Sequence, residues 1–259
     1  MSGNLPTAVT PRLLGTLRSQ PGLPDDVWYT IVATTLCVLN RPDEIQAIYT
    51  HAVAADAGAN AVADPVADHG RQLRIARRLR EALLKASAIG GLPKTINALQ
   101  ELKKVVPPGC FDEPHGESPT NRRRDIYETP APQVLQRGRR FFDECYGKVA
   151  GRVMTSLDHC GTEDLGLAVR LTYGYVLSTT EVLSEAETSF VMIAGLIPQD
   201  VNPQLKGHLR GALNGGASIE QVRAVRHVSI EVCRASGMRL LTADDAPGCW
   251  GWRAEVQNL

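Results

Sequence analysis

Long apolar runs, aromatic side chains and net charge are all scarce in this 259-residue chain. The longest apolar stretches, 30–40 and 190–197, reach about half the length of a bilayer-spanning helix, so no transmembrane segment and no membrane partner are expected. Lys and Arg number 28 and are balanced by 28 Asp and Glu. That balance excludes a polybasic nucleic-acid module and an acidic tail protein, while 43% hydrophobic residues are enough for a packed core.

Cysteine occurs at 37, 110, 145, 160, 233 and 249, with no Cys-x-x-Cys pair. A thioredoxin-like dithiol and a Cys-rich zinc knuckle are therefore excluded, and no metal or cofactor is expected. Unpaired thiols suit a reducing, cytoplasmic setting. The first 24 residues carry Arg12 and Arg18 and no acidic residue before Asp25, which also permits a mitochondrial presequence. The final Gln257-Asn258-Leu259 does not match the peroxisomal Ser-Lys-Leu signal.

Sustained period-two alternation is missing as well, and helical periodicity dominates, so the expected fold class is all-α. Helices are predicted over 26–39, 43–55, 71–89 and 94–104, the third with Leu73, Ala76, Leu79, Leu83 and Leu84 along one face. Residues 57–70, rich in Ala, Gly and Asp, read as an irregular insert. Residues 106–132 hold many of the prolines and three arginines in a row, Arg122 to Arg124, and read as a long connection. Further helices are predicted over 133–146, 148–157, 163–177, 185–197, 203–214 and 219–235.

The two halves resemble each other. In each, a helix opens after a Leu-containing turn, a proline-started helix follows (Pro42, Pro203), and a longer helix ends at glycine (Gly90, Gly237). The predicted organisation is an N-terminal extension (1–23), a first helical module (24–105), the Pro-rich connection (106–132), a second module (133–237) and a tail (238–259).

Chemistry concentrates around Gln204-x-x-x-His208, two residues one turn apart on one helix face. Gly207 and Gly211 form a narrow stripe that lets another helix approach. Asn214-Gly215-Gly216 ends the helix, and Ser218 with Gln221 makes a capping box for the next.

The string Gln204-x-x-x-His208-x-x-x-Ala212-Leu213, the Asn-Gly-Gly-Ala-Ser turn and the following Glu-Gln-Val resemble the carboxymuconolactone decarboxylase family, whose all-α superfamily includes the AhpD-type alkylhydroperoxidases. Gly90-Gly91-Leu92-Pro93 with Asn97-Ala98-Leu99 echoes it in the first half. The peroxidase branch carries a Cys-x-x-Cys before the histidine; here those positions are Val201 and Gln204, which disfavours thiol peroxidase chemistry.

The resemblance implies a homo-oligomer with a small-molecule substrate, acting as a cofactor-independent lyase or isomerase on a small unsaturated carboxylate or lactone. His208 is then the catalytic proton donor or acceptor, Glu187 the catalytic carboxylate that tunes it, and Gln204 a substrate-binding residue. Each also has a plainer reading: His208 as a hydrogen-bonded core histidine, Glu187 as the capping-box partner of Ser184, Gln204 as a groove-lining amide. By module alignment Tyr49, not His51, matches His208. His227 and Glu231 share a helix face and read as exposed; Arg210 points away from His208; the arginine run reads as solvated. His69, His115 and His159 show no metal-binding spacing, and Cys145 and Cys160 read as small fillers. Two alternatives stay open: a hydroperoxide reductase using a non-standard cysteine, with Cys233 the best candidate, and a non-catalytic oligomeric scaffold.

Overall fold

The structure is a computed structural model, described here over residues 5–57, 65–112, 118–239 and 255–256. It is all-α: twelve α-helices and no strand among the described residues, only one isolated bridge between Cys160 and Thr162. In chain order they are α1 (Pro11–Arg18), α2 (Trp28–Val38), α3 (Ile45–Ala57), α4 (Pro65–Gly90), α5 (Leu92–Val105), α6 (Arg122–Tyr127), α7 (Ala131–Tyr146), α8 (Ala150–Asp158), α9 (Asp164–Thr172), α10 (Glu185–Leu196), α11 (Asn202–Asn214) and α12 (Ile219–Ala235). No helix among the described residues is long and apolar enough to cross a membrane.

Two helices are hydrophobic on every side and therefore sit at the centre. All of α2 is buried, and α10 is buried from Thr188 to Leu196. They pack against each other, and the Thr35 hydroxyl links them at 3.2 Å from the Ala194 carbonyl. Packing then crosses between the halves: α12 lies on α2, and α4 lies on α10. One hydrophobic core runs through both.

Three expectations need correction. The first turns of α4 reach back to Pro65, so residues 65–70, read as part of an irregular insert, are helical; residues 58–64 lie outside the described structure. The N-terminal extension is built into the fold. Thr10 caps α1 and accepts from the Leu13 N–H, Leu14 and Leu17 are buried, the Ala8 N–H donates to Glu44 at 2.6 Å, and Arg41 donates to the Pro6 carbonyl at 2.9 Å. Finally, the arginine run is not simply solvated: it opens α6, and Arg122 turns inward. Of the tail, Val256 is buried and Glu255 pairs with Arg226; His115, Cys249 and the C-terminal tripeptide lie outside the described residues.

The predicted helix over 163–177 is α9 followed by a π-helical turn, Tyr173–Leu177. That turn leaves a cluster of carbonyls without intrahelical partners, and the buried Lys85 and two part-buried arginines take them. Arg137 donates to Gly174 (3.0 Å), Arg122 to Tyr175 (3.1 Å) and Val176 (2.9 Å), and Lys85 to Leu177 (3.0 Å). Positive charge at a helix C-terminus is also favoured by the helix dipole.

Candidate functional site

α11 starts with Pro203 in its first turn, where a missing N–H costs nothing, and buries Leu205, His208, Leu209, Gly211 and Ala212. The glycine stripe admits α7. A Cβ on Gly207 would stand 2.8 Å from the Tyr146 ring, and one on Gly211 would stand 3.1 Å from the Cys145 Cα. Tyr146 lies edge-on to the imidazole of His208, ring centroids 6.4 Å apart, and stacks in turn near Phe142 at 4.5 Å.

His208 is only 4% exposed, and its Nδ1 has no hydrogen-bond partner. Burial pushes its pKa down to about 4, so the ring is neutral at pH 7, and in this dry setting it is a weak base until something stabilises the charge it would gain. On the outer side of Gly207 and Tyr146 lies a cavity of about 170 Å³, with Cys145, Val149 and Val153 on its floor and Lys206 and Arg210 at its rim. Arg210, placed by helical geometry away from His208, therefore lines this cavity. Tyr146 belongs to both surroundings, lining the cavity and lying edge-on to the imidazole.

Glu187 does not join this group. Its carboxylate accepts from the Ser184 N–H at 2.8 Å, completing the capping box, and from Arg78 of α4 at 2.5 Å. Arg78 also donates to the Tyr29 hydroxyl and the Asp26 carbonyl, both at 3.0 Å. Burial raises the Glu187 pKa, but the Arg78 guanidinium and the Ser184 cap outweigh it, and the carboxyl ends below its ordinary value. Where a pairing with His208 was expected, the partners of Glu187 are Arg78 and Ser184, and the Arg78 contact ties α10 to α4. Gln204 sits on the exposed side of α11. None of the three, His208, Glu187 or Gln204, lines either of the cavities at α11 and α4.

The cysteine alternative lacks an activated thiol among the buried cysteines at 37, 145 and 233. Burial raises Cys233 to about 12, Cys145 to about 12 and Cys37 to about 11. His227 is exposed, and Glu231 pairs with Arg234 at 2.6 Å. His69 contacts the Gly109 carbonyl and His159 the Thr155 carbonyl, and no metal-binding cluster occurs among the described residues. Tyr49, the position aligned with His208, is also buried with an unpartnered hydroxyl.

A second group escaped sequence reasoning. Glu81 and Lys85, one turn apart on α4, are 3% and 0% exposed. Lys85 Nζ donates to the Thr188 hydroxyl and the Thr179 carbonyl, each at 2.6 Å, besides Leu177. Glu81 is gripped bidentately by Arg122 at 2.6 and 2.7 Å, the geometry that makes an Arg–carboxylate pair strong. Burial lowers the Lys85 pKa to about 8, although Glu81 opposes the shift. The one available signal was Ala82 and Ala86 interleaved with the charged residues, which marks a helix covered on both sides.

No family model matches the chain. A protein of Schizosaccharomyces pombe named Peroxisomal protein 2 is 38% identical over 213 residues, covering 81% of this chain and 86% of that protein. A Saccharomyces cerevisiae protein of the same name is 31% identical over 254 residues, covering 82% of this chain and 89% of that one. At that identity and coverage, this chain belongs to the family of these Peroxisomal protein 2 relatives.

Proposed function

We propose that the protein is a cofactor-independent lyase or isomerase that moves a proton on a small unsaturated carboxylate or lactone, with His208 as proton acceptor. The observation that carries this reading is the neutral imidazole with a free Nδ1 on the helix that also lines a cavity rimmed by Lys206 and Arg210. Those two cations suit a substrate carboxylate and the oxyanion that forms as a proton leaves the adjacent carbon. An anion held there also raises the basicity of the nearby imidazole. Displacement of the Tyr146 ring is required to join cavity and base. The resemblance of the α11 segment to carboxymuconolactone decarboxylases supplies the substrate class, and that extension is analogy.

The test is deuterium uptake from D2O into the ring carbons of an unsaturated γ-lactone carboxylate, followed by NMR. Wild type should catalyse it and His208→Asn should not; equal rates, or none with wild type, sink the reading. A non-catalytic helical scaffold is the second reading, favoured by the 4% exposure of His208 and the engagement of Glu187 by Arg78. It predicts that His208→Asn changes stability alone.

We also infer that the protein works in the peroxisome, as the names of both relatives suggest, in place of the cytoplasmic or mitochondrial setting expected from sequence. Fluorescence imaging of the full chain tests this. A homo-oligomer is supported by Leu165, Leu167 and Leu171, all exposed on α9, and light scattering in solution decides it.

A further inference from the structure

Apart from the α11 cavity, a larger one of about 460 Å³ lies along α4, within the size range of small-molecule sites. Its charged lining comes in two clusters, each a carboxylate shared by two cations. On one side Asp112 accepts from Arg77 at 2.6 Å and from Arg80. On the other, Glu81 is shared by Arg122 and by Lys85, which lies 3.6 Å behind it. Each cluster carries one positive charge more than its carboxylate balances.

The two surpluses are not equally available. Lys85 spends its hydrogens on Leu177, Thr179 and Thr188. Arg122 is occupied by Glu81, two carbonyls and the Thr179 hydroxyl. Arg80 is different: beyond Asp112 it has only a long contact, 3.4 Å, to the Cys110 carbonyl among the described residues. Burial, and the neighbouring charge of Arg77, hold its pKa below the ordinary guanidinium value despite Asp112. A half-buried guanidinium that must share its one carboxylate with a second arginine is only partly compensated, and an anion joining it completes the balance. The rest of the wall is apolar, with Leu84, Leu99 and Phe111 prominent.

We propose that this cavity binds a small organic anion with an apolar body, its carboxylate docking on Arg80 beside Arg77 and its body lying against Leu84, Leu99 and Phe111. A planar guanidinium presents a fork that matches a carboxylate. An inorganic anion would satisfy the charge but leave the apolar wall wet, so selectivity for a carbon skeleton is part of the proposal. The site is separate from the α11 cavity and does not depend on any chemistry there.

The test uses full-length protein with 4-fluorobenzoate as probe, read by 19F NMR and calorimetry, and 4-fluorobenzamide as its neutral counterpart. Wild type should bind the benzoate saturably, with the amide and inorganic sulfate each at least about tenfold weaker. Arg80→Met should weaken the benzoate at least about tenfold, and Leu84→Trp, which fills the space without touching the charges, should abolish binding while circular dichroism stays helical. His208→Asn should bind as wild type does, so failure here and failure of the α11 reading are distinguishable. Equal binding of acid and amide, unchanged affinity in Arg80→Met or in folded Leu84→Trp, or no saturation up to about 10 mM benzoate would overturn the proposal.

Discussion

Lys85 Nζ lies 3.6 Å from a carboxylate oxygen of Glu81, one turn earlier on α4, and both side chains are buried. The pair survives burial because every hydrogen on Lys85 has an oxygen to meet and Arg122 completes the charge around Glu81. Removing Lys85 leaves the Leu177 and Thr179 carbonyls buried without their donor, and removing Arg122 leaves Glu81 without its bidentate partner.

Lys85→Met should therefore lower unfolding stability by about 3–5 kcal/mol, measured by urea denaturation at pH 7. The pH profile gives a sharper readout. The folded-state pKa of about 8 lies below the ordinary 10.5, so the unfolded chain binds more protons between those values and stability from this group rises with pH across that window. The rise amounts to about 3 kcal/mol and should disappear in Lys85→Met. A variant with the same slope as wild type between pH 8 and 10.5 would contradict the assignment.

Arg122→Ala should destabilise by a similar amount, about 3–5 kcal/mol. Arg122→Lys should restore little of it, because an ammonium cannot span both Glu81 oxygens and also reach the carbonyls of Tyr175 and Val176. Thermal unfolding of the three proteins ranks them directly.

His208 should stay neutral well into acid. Its folded pKa of about 4 lies below the ordinary 6.5, so the stability tied to the neutral ring is fully present above pH 6.5 and is lost as pH falls toward 4. In NMR the Cε1–H resonance should show no titration at pH 5.5. Tyr146→Ala, by opening the outer cavity toward the ring, should move the titration upward toward the ordinary value.

Glu187→Gln should weaken the tie between α10 and α4 and lower stability by about 1–3 kcal/mol, since the Arg78 guanidinium loses its charged partner. The carboxyl sits below its ordinary value in the folded state, so its contribution is present above about pH 4.5 and fades as acid protonates it. Arg78→Met should reproduce the loss, and the double variant should cost less than the sum of the two, as a double-mutant cycle would report.

Local signals in the sequence were reliable where the structure they specify is local. Ser218 and Gln221 cap α12, and the helix runs over the predicted residues. Val201, Pro203 and the Asn214-Gly215-Gly216 turn bound α11, and the glycine stripe at 207 and 211 meets a helix as anticipated. Ser184 and Glu187 form the capping box that offered the plainer reading of that glutamate.

What was not legible is partnership across distance. Arg78 and Glu187 are 109 residues apart, and Glu81 and Arg122 are 41 apart. Neither periodicity nor spacing says which arginine will turn inward. Arg122 reads as one of three exposed cations until the bare carbonyls of the π-helical turn are known to need a donor. The candidate site suffers the same way. Gln204 and His208 share a face in helical projection, but Gln204 falls in the first turn of α11, beyond the cover that buries His208.

The crossed packing of α2 on α12 and α4 on α10 carries a consequence for biosynthesis. The most apolar segment of the first half emerges from the ribosome long before the helix that will shield its far side has been translated. Such a topology closes late, and until then the nascent chain presents Ile31, Val32 and Leu36 to whatever chaperone or neighbour is nearby. Truncation anywhere ahead of α12 should thus yield aggregation, not a smaller folded protein.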